Sequence, residues 1–315
     1  MRRRLFRGLS RRSLGVLMVA NRYSSPPDRA DWTLLHAGYE DTLAEAARSG
    51  GADLIAFSPP YCDARTYGAD VSWTDADYAR LGDHVFAALK PGGHALVNVD
   101  APVREWRPGF GTERGFHPWR LMLDWAERVG FRVPDRLVFG RKGIPGDTIG
   151  RFQCGWEPLL WFQRPGTETY LDKRSIASRT VKRQGPRTKR IANGTLVKMK
   201  ASITDIELPD TLWNFGAVGR GCTGSPEIEA EDHPARWPYR LARDLVLCFS
   251  PPGGLVVDPF VGAGTTGKAA IDNGRRFIGG DLYFNPKGEP WASVAHRILL
   301  GATAQPSLFG GADGR

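Results

Sequence analysis

This sequence has few cysteines and no long apolar run. Its 315 residues include four cysteines, Cys62, Cys154, Cys222 and Cys248, which are widely spaced and form no C-x-x-C pair. This scarcity argues against a disulfide framework and a zinc site, and it predicts a cytoplasmic protein without a bound metal. No apolar run approaches the roughly 18 residues that a membrane span requires, so the sequence predicts a soluble protein.

Acidic residues are absent from one long stretch of the chain. From Lys173 to Thr204 there is no Asp or Glu, whereas the whole chain has 34 of them against 43 Lys and Arg. The positive residues of this stretch are Lys173, Arg174, Arg179, Lys182, Arg183, Arg187, Lys189, Arg190, Lys198 and Lys200. Because these ten exceed the net charge of +9 of the whole chain, the segment predicts contact with a polyanion.

The first 30 residues are rich in arginine. Six arginines precede a short apolar run at residues 14–20, but Asn21 and Arg22 stand where an export signal would have a small-residue cleavage site. We therefore expect a mobile basic extension over residues 1–30, or a true start at Met18, rather than an export signal.

The hydrophobic pattern outside the basic stretch alternates short apolar runs with amphipathic segments. It predicts strands at 32–36, 53–57, 94–99, 131–139, 156–163, 255–257 and 276–280. It predicts helices at 41–49, 74–89, 118–129, 237–249, 265–273 and 291–300, with Thr74 as an N-cap and the segment from Lys90 to Gly93 as a helix stop. This alternation indicates an α/β fold around a parallel sheet, and the basic stretch has no regular periodicity.

A glycine-rich loop, residues 258–268, follows a predicted strand and opens a helix. Gly262, Gly264 and Gly267 match the dinucleotide pattern G-x-G-x-x-G, with Asp281 at a suitable distance for a ribose contact. The same loop departs from a P-loop, because Ala269 stands in place of the Ser or Thr that holds magnesium. Only 57 residues follow Asp258 (315 minus 258), so earlier strands must complete the sheet and the order of the fold is permuted.

The order of two motifs carries a family resemblance. Ser58-Pro-Pro-Tyr61 comes first, then the basic stretch, then the motif from Asp258 to Thr266 with the pattern D-P-F-x-G-x-G-T-T. Together with the segments 89–93, 233–238 and 275–281, this order resembles the beta class of DNA amino-methyltransferases of restriction–modification systems. The resemblance covers residues 31 to 300.

The resemblance implies a Rossmann-like, S-adenosylmethionine-dependent methyltransferase fold with permuted motif order and an inserted target-recognition region. It divides the chain into a catalytic half (31–167), a recognition region (168–230), a cofactor half (231–300) and a tail (301–315). The implied partners are double-stranded DNA, contacted by the ten positive residues above, and a restriction endonuclease system. The family pattern has Gly-Asp after the first strand, whereas Tyr39 follows Gly38 here, so Glu40 or Asp41 is expected to make that cofactor contact.

The resemblance also assigns roles to individual residues. Ser58, Pro59, Pro60 and Tyr61 are the expected catalytic residues. The expected cofactor-binding residues are Asp258, Pro259, Phe260, Gly262, Gly264, Thr265, Thr266 and Asp281, whereas Gly267 is interpreted as a helix-packing glycine. Serine at the first catalytic position is typical of cytosine-N4 enzymes. Adenine-N6 transfer, a catalytically silent nucleic-acid-binding protein and a nicotinamide-dependent oxidoreductase remain as alternatives.

Overall fold

A computed structural model describes most of the chain. The described residues are 21–27, 31–60, 73–101, 103–107, 111–142, 155–177, 182–184, 187–199, 202–204, 208–217, 225–229, 231, 233 and 237–302. In this part of the chain, no helix combines the length and the apolar character needed to cross a membrane.

Strands and helices alternate through much of the described chain. The strands are β1 Asn21–Ser24, β2 Trp32–His36, β3 Ala52–Phe57, β4 Leu89–Asn98, β5 Val103–Arg107, β6 Gly111–Arg114, β7 Arg136–Lys142, β8 Trp156–Gln163, β9 Lys182–Gln184, β10 Arg187–Arg190, β11 Leu196–Met199, β12 Ser202–Thr204, β13 Leu212–Ala217, β14 Leu255–Asp258 and β15 Arg276–Gly280. The α-helices are α1 Tyr39–Arg48, α2 Asp75–Ala88, α3 His117–Asp124, α4 Pro226–Glu229, α5 Tyr239–Phe249, α6 Thr265–Asp272 and α7 Trp291–Ala302.

Nine strands form one sheet, in the order β1-β2-β15-β14-β3-β4-β8-β7-β13. The strands from β2 to β4 in this order are mutually parallel, which confirms the expected parallel sheet for the centre. The expectation is wrong for β8, which runs antiparallel to both neighbours, and β1, in the segment expected as a mobile extension, forms a strand antiparallel to β2. The pair β7–β8 is consecutive along the chain, and antiparallel neighbours need no crossover helix between them. The permuted order is present, since the late strands β14 and β15 lie between β2 and β3.

Hydrophobic side chains cover both faces of the sheet. Along β3, Leu54 belongs to the cluster that includes α5, α6 and α7, while Ile55 belongs to the cluster that includes α1, α2 and Trp125. Successive strand residues point to opposite faces, so a strand buried on both faces has a continuous apolar sequence. This two-faced burial explains the unbroken apolar run at residues 53–57 and confirms the α/β architecture.

Local signals predict both ends of α2 to within one residue. Thr74 Oγ1 accepts a hydrogen bond from the Asp77 amide, and the Thr74 amide donates to Asp77 Oδ2, which confirms the predicted N-cap. The predicted helix stop is confirmed, since α2 ends at Ala88, but β4 begins at Leu89, five residues earlier than the predicted strand. Gly92 has φ +83°, and a Cβ there would lie 1.6 Å from the Glu168 carbonyl oxygen, so this glycine permits a close backbone approach within the strand.

The predicted helix 118–129 and the predicted strand 131–139 also differ from the structure. The α-helix ends at Asp124 and continues as one π-helical segment, Trp125–Val129, which closes at Gly130 with φ +92°. The strand starts five residues later than predicted, at Arg136. Between them Arg132 makes an isolated bridge to Gln163 at the end of β8, so the chain pairs with β8 before β7 begins.

The basic stretch contains regular structure that its sequence pattern does not predict. Lys173–Ile176 is a 3₁₀ helix, β10 and β11 form a hairpin, and β9 pairs with β12 outside that hairpin. The hairpin turn contains Asn193 and Gly194, and Gly194 has φ +85°. An Asn-Gly pair is a strong local hairpin signal, and here it stands among many charged residues.

Candidate active site

The two predicted motifs lie at one edge of the sheet. β14 is parallel to β3 on one side, with Val257 paired to Ile55, and parallel to β15 on the other, with Asp258 paired to Gly279. Ser58 directly follows β3 and Asp281 directly follows β15. Because the carboxyl ends of parallel strands meet at the same edge, the Pro-Pro motif and the glycine loop are neighbours in space.

The glycine loop has a fixed backbone. Gly262 and Gly264 have φ values of +49° and +87°, in the left-handed region that disfavours other residues. A Cβ at Gly262 would lie 2.7 Å from His233 Nε2, and one at Gly264 would lie 3.1 Å from the Ala295 Cβ. The Val261 amide donates to the Gly280 carbonyl at 2.9 Å, which ties the loop to β15. The loop therefore presents backbone rather than side chains where α6 begins.

Gly267 has a different role from the two loop glycines. A Cβ at this position would lie 2.6 Å from Phe277 Cε1, in the interface between α6 and β15. The interpretation of Gly267 as a helix-packing glycine agrees with this contact. The neighbouring Thr265 and Thr266 are buried in the first turn of α6, and Pro259 is buried directly after β14.

Two buried carboxylates flank the loop. Asp258 Oδ1 accepts the Phe260 amide at 3.0 Å, and Asp281 accepts the amides of Gly262 and Tyr283, each at 2.9 Å. Burial raises the pKa of Asp258 to about 7, despite its hydrogen bond with Thr266. Burial likewise raises the pKa of Asp281 to about 6. A group held at such a pKa is stabilised in its ionised form by any cation or hydrogen-bond donor that binds beside it.

The Pro-Pro motif is largely buried. Pro59 and Pro60 are buried and Ser58 is half-buried. The Pro60 carbonyl accepts a hydrogen bond from the Tyr78 hydroxyl. Tyr61, the fourth expected catalytic residue, lies outside the described residues.

Aromatic side chains connect the two motifs. The Phe260 ring lies 5.5 Å from both the Phe57 and Trp73 rings and 6.0 Å from the Tyr39 ring, measured between centroids. Burial, with Glu40 close by, raises the pKa of Tyr39 to about 12, so this phenol stays neutral. Phe260 therefore packs in an aromatic cluster between the glycine loop and the strand that carries the Pro-Pro motif.

Comparison with known proteins identifies the family. Residues 52–284 match the N6/N4 family described as DNA methylase. The chain belongs to this DNA methylase family. It is 32% identical over 253 residues to the type II methyltransferase M.ScaI of Streptomyces caespitosus, covering 78% of this chain and 76% of that protein. It is 27% identical over 237 residues to the orphan methyltransferase M.BamHII of Bacillus amyloliquefaciens, covering 73% and 83%.

Solved structures show the same fold. The cytosine-N4-specific PvuII DNA methyltransferase superposes with a TM-score of 0.57 at 16% identity, covering 87% of this chain and 92% of that one. The M1.HpyAVI–SAM complex superposes with a TM-score of 0.53 at 17% identity, covering 85% and 98%. The predicted beta-class resemblance and the Rossmann-like methyltransferase fold are thereby confirmed.

The acidic residues expected to contact the cofactor after β2 of this methylase lie in α1. Glu40 and Asp41 lie in the first turn of that helix, which starts three residues after β2. Burial raises the pKa of Asp41, with Glu40 adding to the shift. The Asp281 amide donates to the Leu35 carbonyl at 3.1 Å, so the end of β2 borders the same edge of the sheet.

One buried polar network of the methylase is not predicted from the sequence. Asn98, at the end of β4, donates from Nδ2 to Glu157 Oε2 at 3.2 Å and accepts from Trp237 Nε1 at 3.1 Å. Trp237 belongs to the segment 233–238 that supports the family resemblance. This membership is the one feature of the sequence that could have pointed to the network. The network ties the beginning of the cofactor half to the strand beside β3.

The predicted DNA-contacting residues of the methylase lie on several elements of the basic stretch. Lys173 and Arg174 are exposed on the 3₁₀ helix, and Lys189, Arg190 and Lys198 are exposed on the β10–β11 hairpin. Lys182, Arg183 and Arg187 lie on described strands. Arg179 and Lys200 lie outside the described residues. The hairpin also exposes Ile191, Leu196 and Val197, with exposed fractions of 42%, 60% and 39%.

Proposed function

We propose that this chain is a site-specific DNA methyltransferase that transfers a methyl group from S-adenosylmethionine to the N4 amine of cytosine in duplex DNA. The observation that carries the proposal is the position of Ser58-Pro-Pro beside the glycine loop, at the ends of two hydrogen-bonded parallel strands. Membership of the DNA methylase family supports the reaction class.

The residues of the glycine loop fit S-adenosylmethionine. Gly262 and Gly264 give the loop a left-handed backbone turn at the start of α6, and Asp258 and Asp281 are buried carboxylates with raised pKa values. We propose that Asp281 accepts hydrogen bonds from the ribose hydroxyls and that Asp258 accepts from the methionine ammonium group. When bound, the cofactor supplies an electrophilic methyl group. The solved structure of M1.HpyAVI, which has the same fold, is a complex with SAM.

The Pro-Pro motif is proposed to prepare the target amine. The lone pair of an exocyclic amine is delocalised into the base, so the amine is a weak nucleophile. Ser58 Oγ and the Pro59 carbonyl are proposed to accept its two N–H groups, which localises the lone pair and aims it. Proline removes amide donors from the turn and leaves carbonyl oxygens. Positioning, rather than a strong base, then supplies most of the rate.

The target base must leave the double helix to reach this turn. Tyr61 is proposed to stack on the extruded base. The recognition region, residues 168–230, is proposed to hold the duplex, with its positive residues on phosphates and the exposed β10–β11 hairpin in the major groove. A two-stranded ribbon fits that groove, and phosphate contacts supply much of the affinity.

A second candidate is adenine-N6 transfer by the same site. A stretch of 73 residues is 40% identical to the DNA adenine methyltransferase YhdJ of Escherichia coli, covering 23% of each chain. Serine at position 58 favours cytosine, because Asp or Asn is more typical of adenine enzymes.

Nucleoside analysis distinguishes the two candidate bases. Purified protein is incubated with duplex DNA and cofactor carrying a labelled methyl group, and the DNA is then digested to nucleosides. Label on N4-methylcytosine is expected. Label on N6-methyladenine alone would overturn the cytosine assignment while retaining the reaction class. Cofactor binding without transfer to any DNA would favour a catalytically silent protein.

A further inference from the structure

The hydroxyl of Tyr78 reaches the proposed catalytic motif from outside it. Tyr78 lies on α2, 18 residues beyond Pro60, and donates to the Pro60 carbonyl in a buried hydrogen bond. We infer that Tyr78 is a positioning residue: its hydroxyl fixes the peptide plane after Pro60. It thereby sets the direction in which Ser58 and Pro59 present their acceptors. This inference rests on the proposed function of the motif.

The Pro-Pro turn needs such a donor. Pro59 and Pro60 have no amide hydrogen, so neither can donate a backbone hydrogen bond that would hold the turn. A buried carbonyl without a partner is unfavourable, so the Pro60 carbonyl favours the conformation in which the phenol reaches it. The peptide that Tyr78 holds joins Pro60 to Tyr61, the residue proposed to stack on the target base. One hydrogen bond therefore fixes the carbonyl that directly follows the two proposed acceptors.

Ring contacts and backbone hydrogen bonds hold Tyr78 itself in place. Its ring lies 5.1 Å from the Trp73 ring and 4.2 Å from the His117 ring, between centroids. Its backbone carbonyl accepts from Trp125 Nε1 at 3.0 Å. These contacts connect the phenol to α2 and α3, two helices packed on the sheet, rather than to the strand-end loops. Through Tyr78, these helices hold the Pro-Pro motif in a fixed position relative to the sheet.

Tyr78 is buried, and open space adjoins it on one side. A cavity of about 290 Å³ lies beside it, lined by Asp75, Tyr78, His117, Arg120, Leu121 and Trp125 among others. His117 closes part of this side through a 2.9 Å contact between its Nδ1 and Asp75 Oδ1. The hydrogen bond to Pro60 and the two ring contacts together hold the phenol in this position. Removing the hydroxyl releases the turn without opening a new void around the ring.

The test compares two tyrosine-to-phenylalanine variants. Tyr78→Phe removes the hydroxyl and keeps the ring. Tyr239→Phe is the matched control, because that hydroxyl also makes a partly buried hydrogen bond, to Asp272 Oδ2 at 2.7 Å, at the end of α6 remote from the strand-end loops. The measurements are kcat and KM for duplex DNA, the cofactor Kd by calorimetry, and the Tm.

For Tyr78→Phe, kcat is expected to fall about tenfold, while KM and the cofactor Kd change by less than about twofold. Tyr239→Phe is expected to keep the kcat of the wild type and to show a similar decrease in Tm. A merely structural role of Tyr78 would lower Tm in both variants and leave kcat of the folded protein equal. Wild-type kcat in Tyr78→Phe, or an equal decrease of kcat in the control, would overturn the inference.

A second variant keeps the inference testable if Tyr78→Phe folds poorly. His117→Ala retains the hydroxyl and enlarges the cavity beside the ring, so it is expected to lower kcat in the same direction with the cofactor Kd unchanged. Unchanged kcat in His117→Ala would then count against the positioning role. Failure of the proposed function is distinguishable from these results, because it abolishes transfer by the wild type, whereas failure of the inference leaves wild type and variant equally active.

Discussion

Lowering the pH from about 7.4 to about 6 should weaken cofactor binding by this protein, because its two loop carboxylates titrate in that range. The folded-state pKa of Asp258 is raised to about 7 and that of Asp281 to about 6, both by burial. Each carboxyl group therefore gains its proton as the pH falls through these values. If the cofactor's ammonium group pairs with ionised Asp258, as we propose, protonation removes that partner and the apparent affinity falls.

The magnitude follows from the ionised fractions. With a pKa of about 7, Asp258 is about 0.7 ionised at about pH 7.4 and about 0.1 ionised at about pH 6. Binding that requires the ionised form weakens by their ratio, about eightfold, which is about 1.2 kcal/mol. Asp281, with a pKa of about 6, adds a further factor of about two if ribose binding also requires its charge. The expected total is about tenfold to twentyfold.

Calorimetry measures both the affinity and the protons. Titrating the cofactor at about pH 6 should release about one proton per site, because binding ionises Asp258. The proton count comes from repeating the titration in two buffers with different ionisation enthalpies. The cofactor's own amine stays mostly protonated over this range, since an α-amino group has a pKa of about 7.7–8.0.

Asp258→Asn separates this mechanism from a general effect of pH. The variant keeps the shape of the side chain and removes the charge, so its affinity at about pH 7.4 should fall about tenfold to a hundredfold. Its remaining pH dependence should shrink to about the twofold factor from Asp281. Equal wild-type affinity at both pH values would refute the reasoning, as would an Asn variant that keeps the full slope.

Three further perturbations probe other parts of the site. Ser58→Ala should lower kcat about a hundredfold with unchanged cofactor Kd, because it removes one preorganised acceptor for the amine; weaker cofactor binding instead would place Ser58 in the wrong subsite. Neutralising Lys182, Arg183, Lys189 and Arg190 should weaken DNA binding, as measured by fluorescence anisotropy. The slope of log K against log salt concentration should become less steep by up to about 0.9 for each phosphate that the protein no longer neutralises. Unchanged binding would show that these charges serve another purpose. Gly264→Ala should lower Tm and cofactor affinity more than Gly130→Ala: both glycines have positive φ, +87° and +92°, but only at the first would a Cβ have a neighbour within 4 Å.

The central strands and the glycine loop are predictable because each has a local cause. An apolar run that ends abruptly, as at Phe57, reflects burial on both faces of the sheet. The Thr74 and Asp77 pair predicts its own capping box from two residues three apart. Glycines in the loop are recognisable because the left-handed backbone at Gly262 and Gly264 excludes most other residues.

Features that depend on distant partners are not predictable in this way. The segment after α2 ends the helix as predicted, but it also forms the beginning of β4, where Gly92 lets residue 168 approach. The hairpin β10–β11 is exposed on the described residues 188–198, so no alternation of buried and exposed side chains marks its strands. The contact from Tyr78 to Pro60 joins a helix position and a strand-end position whose proximity follows only from the packed structure.

Contacts at the amino ends of the central strands help to set the geometry at their carboxyl ends, where the proposed active site lies. Asp53, near the amino end of β3, accepts the Leu255 amide at 2.7 Å and the Lys90 ammonium at 2.8 Å, so it aligns the beginning of β14 with β3 and β4. The partners Asp53 and Leu255 are 202 residues apart in the chain. A slip of one residue would move the glycine loop about 3.3 Å along β3 and turn the β14 side chains to the wrong face. The long permuted connection can therefore vary in length and charge, as in the basic stretch, while this register keeps Ser58 and Asp258 at adjacent strand ends.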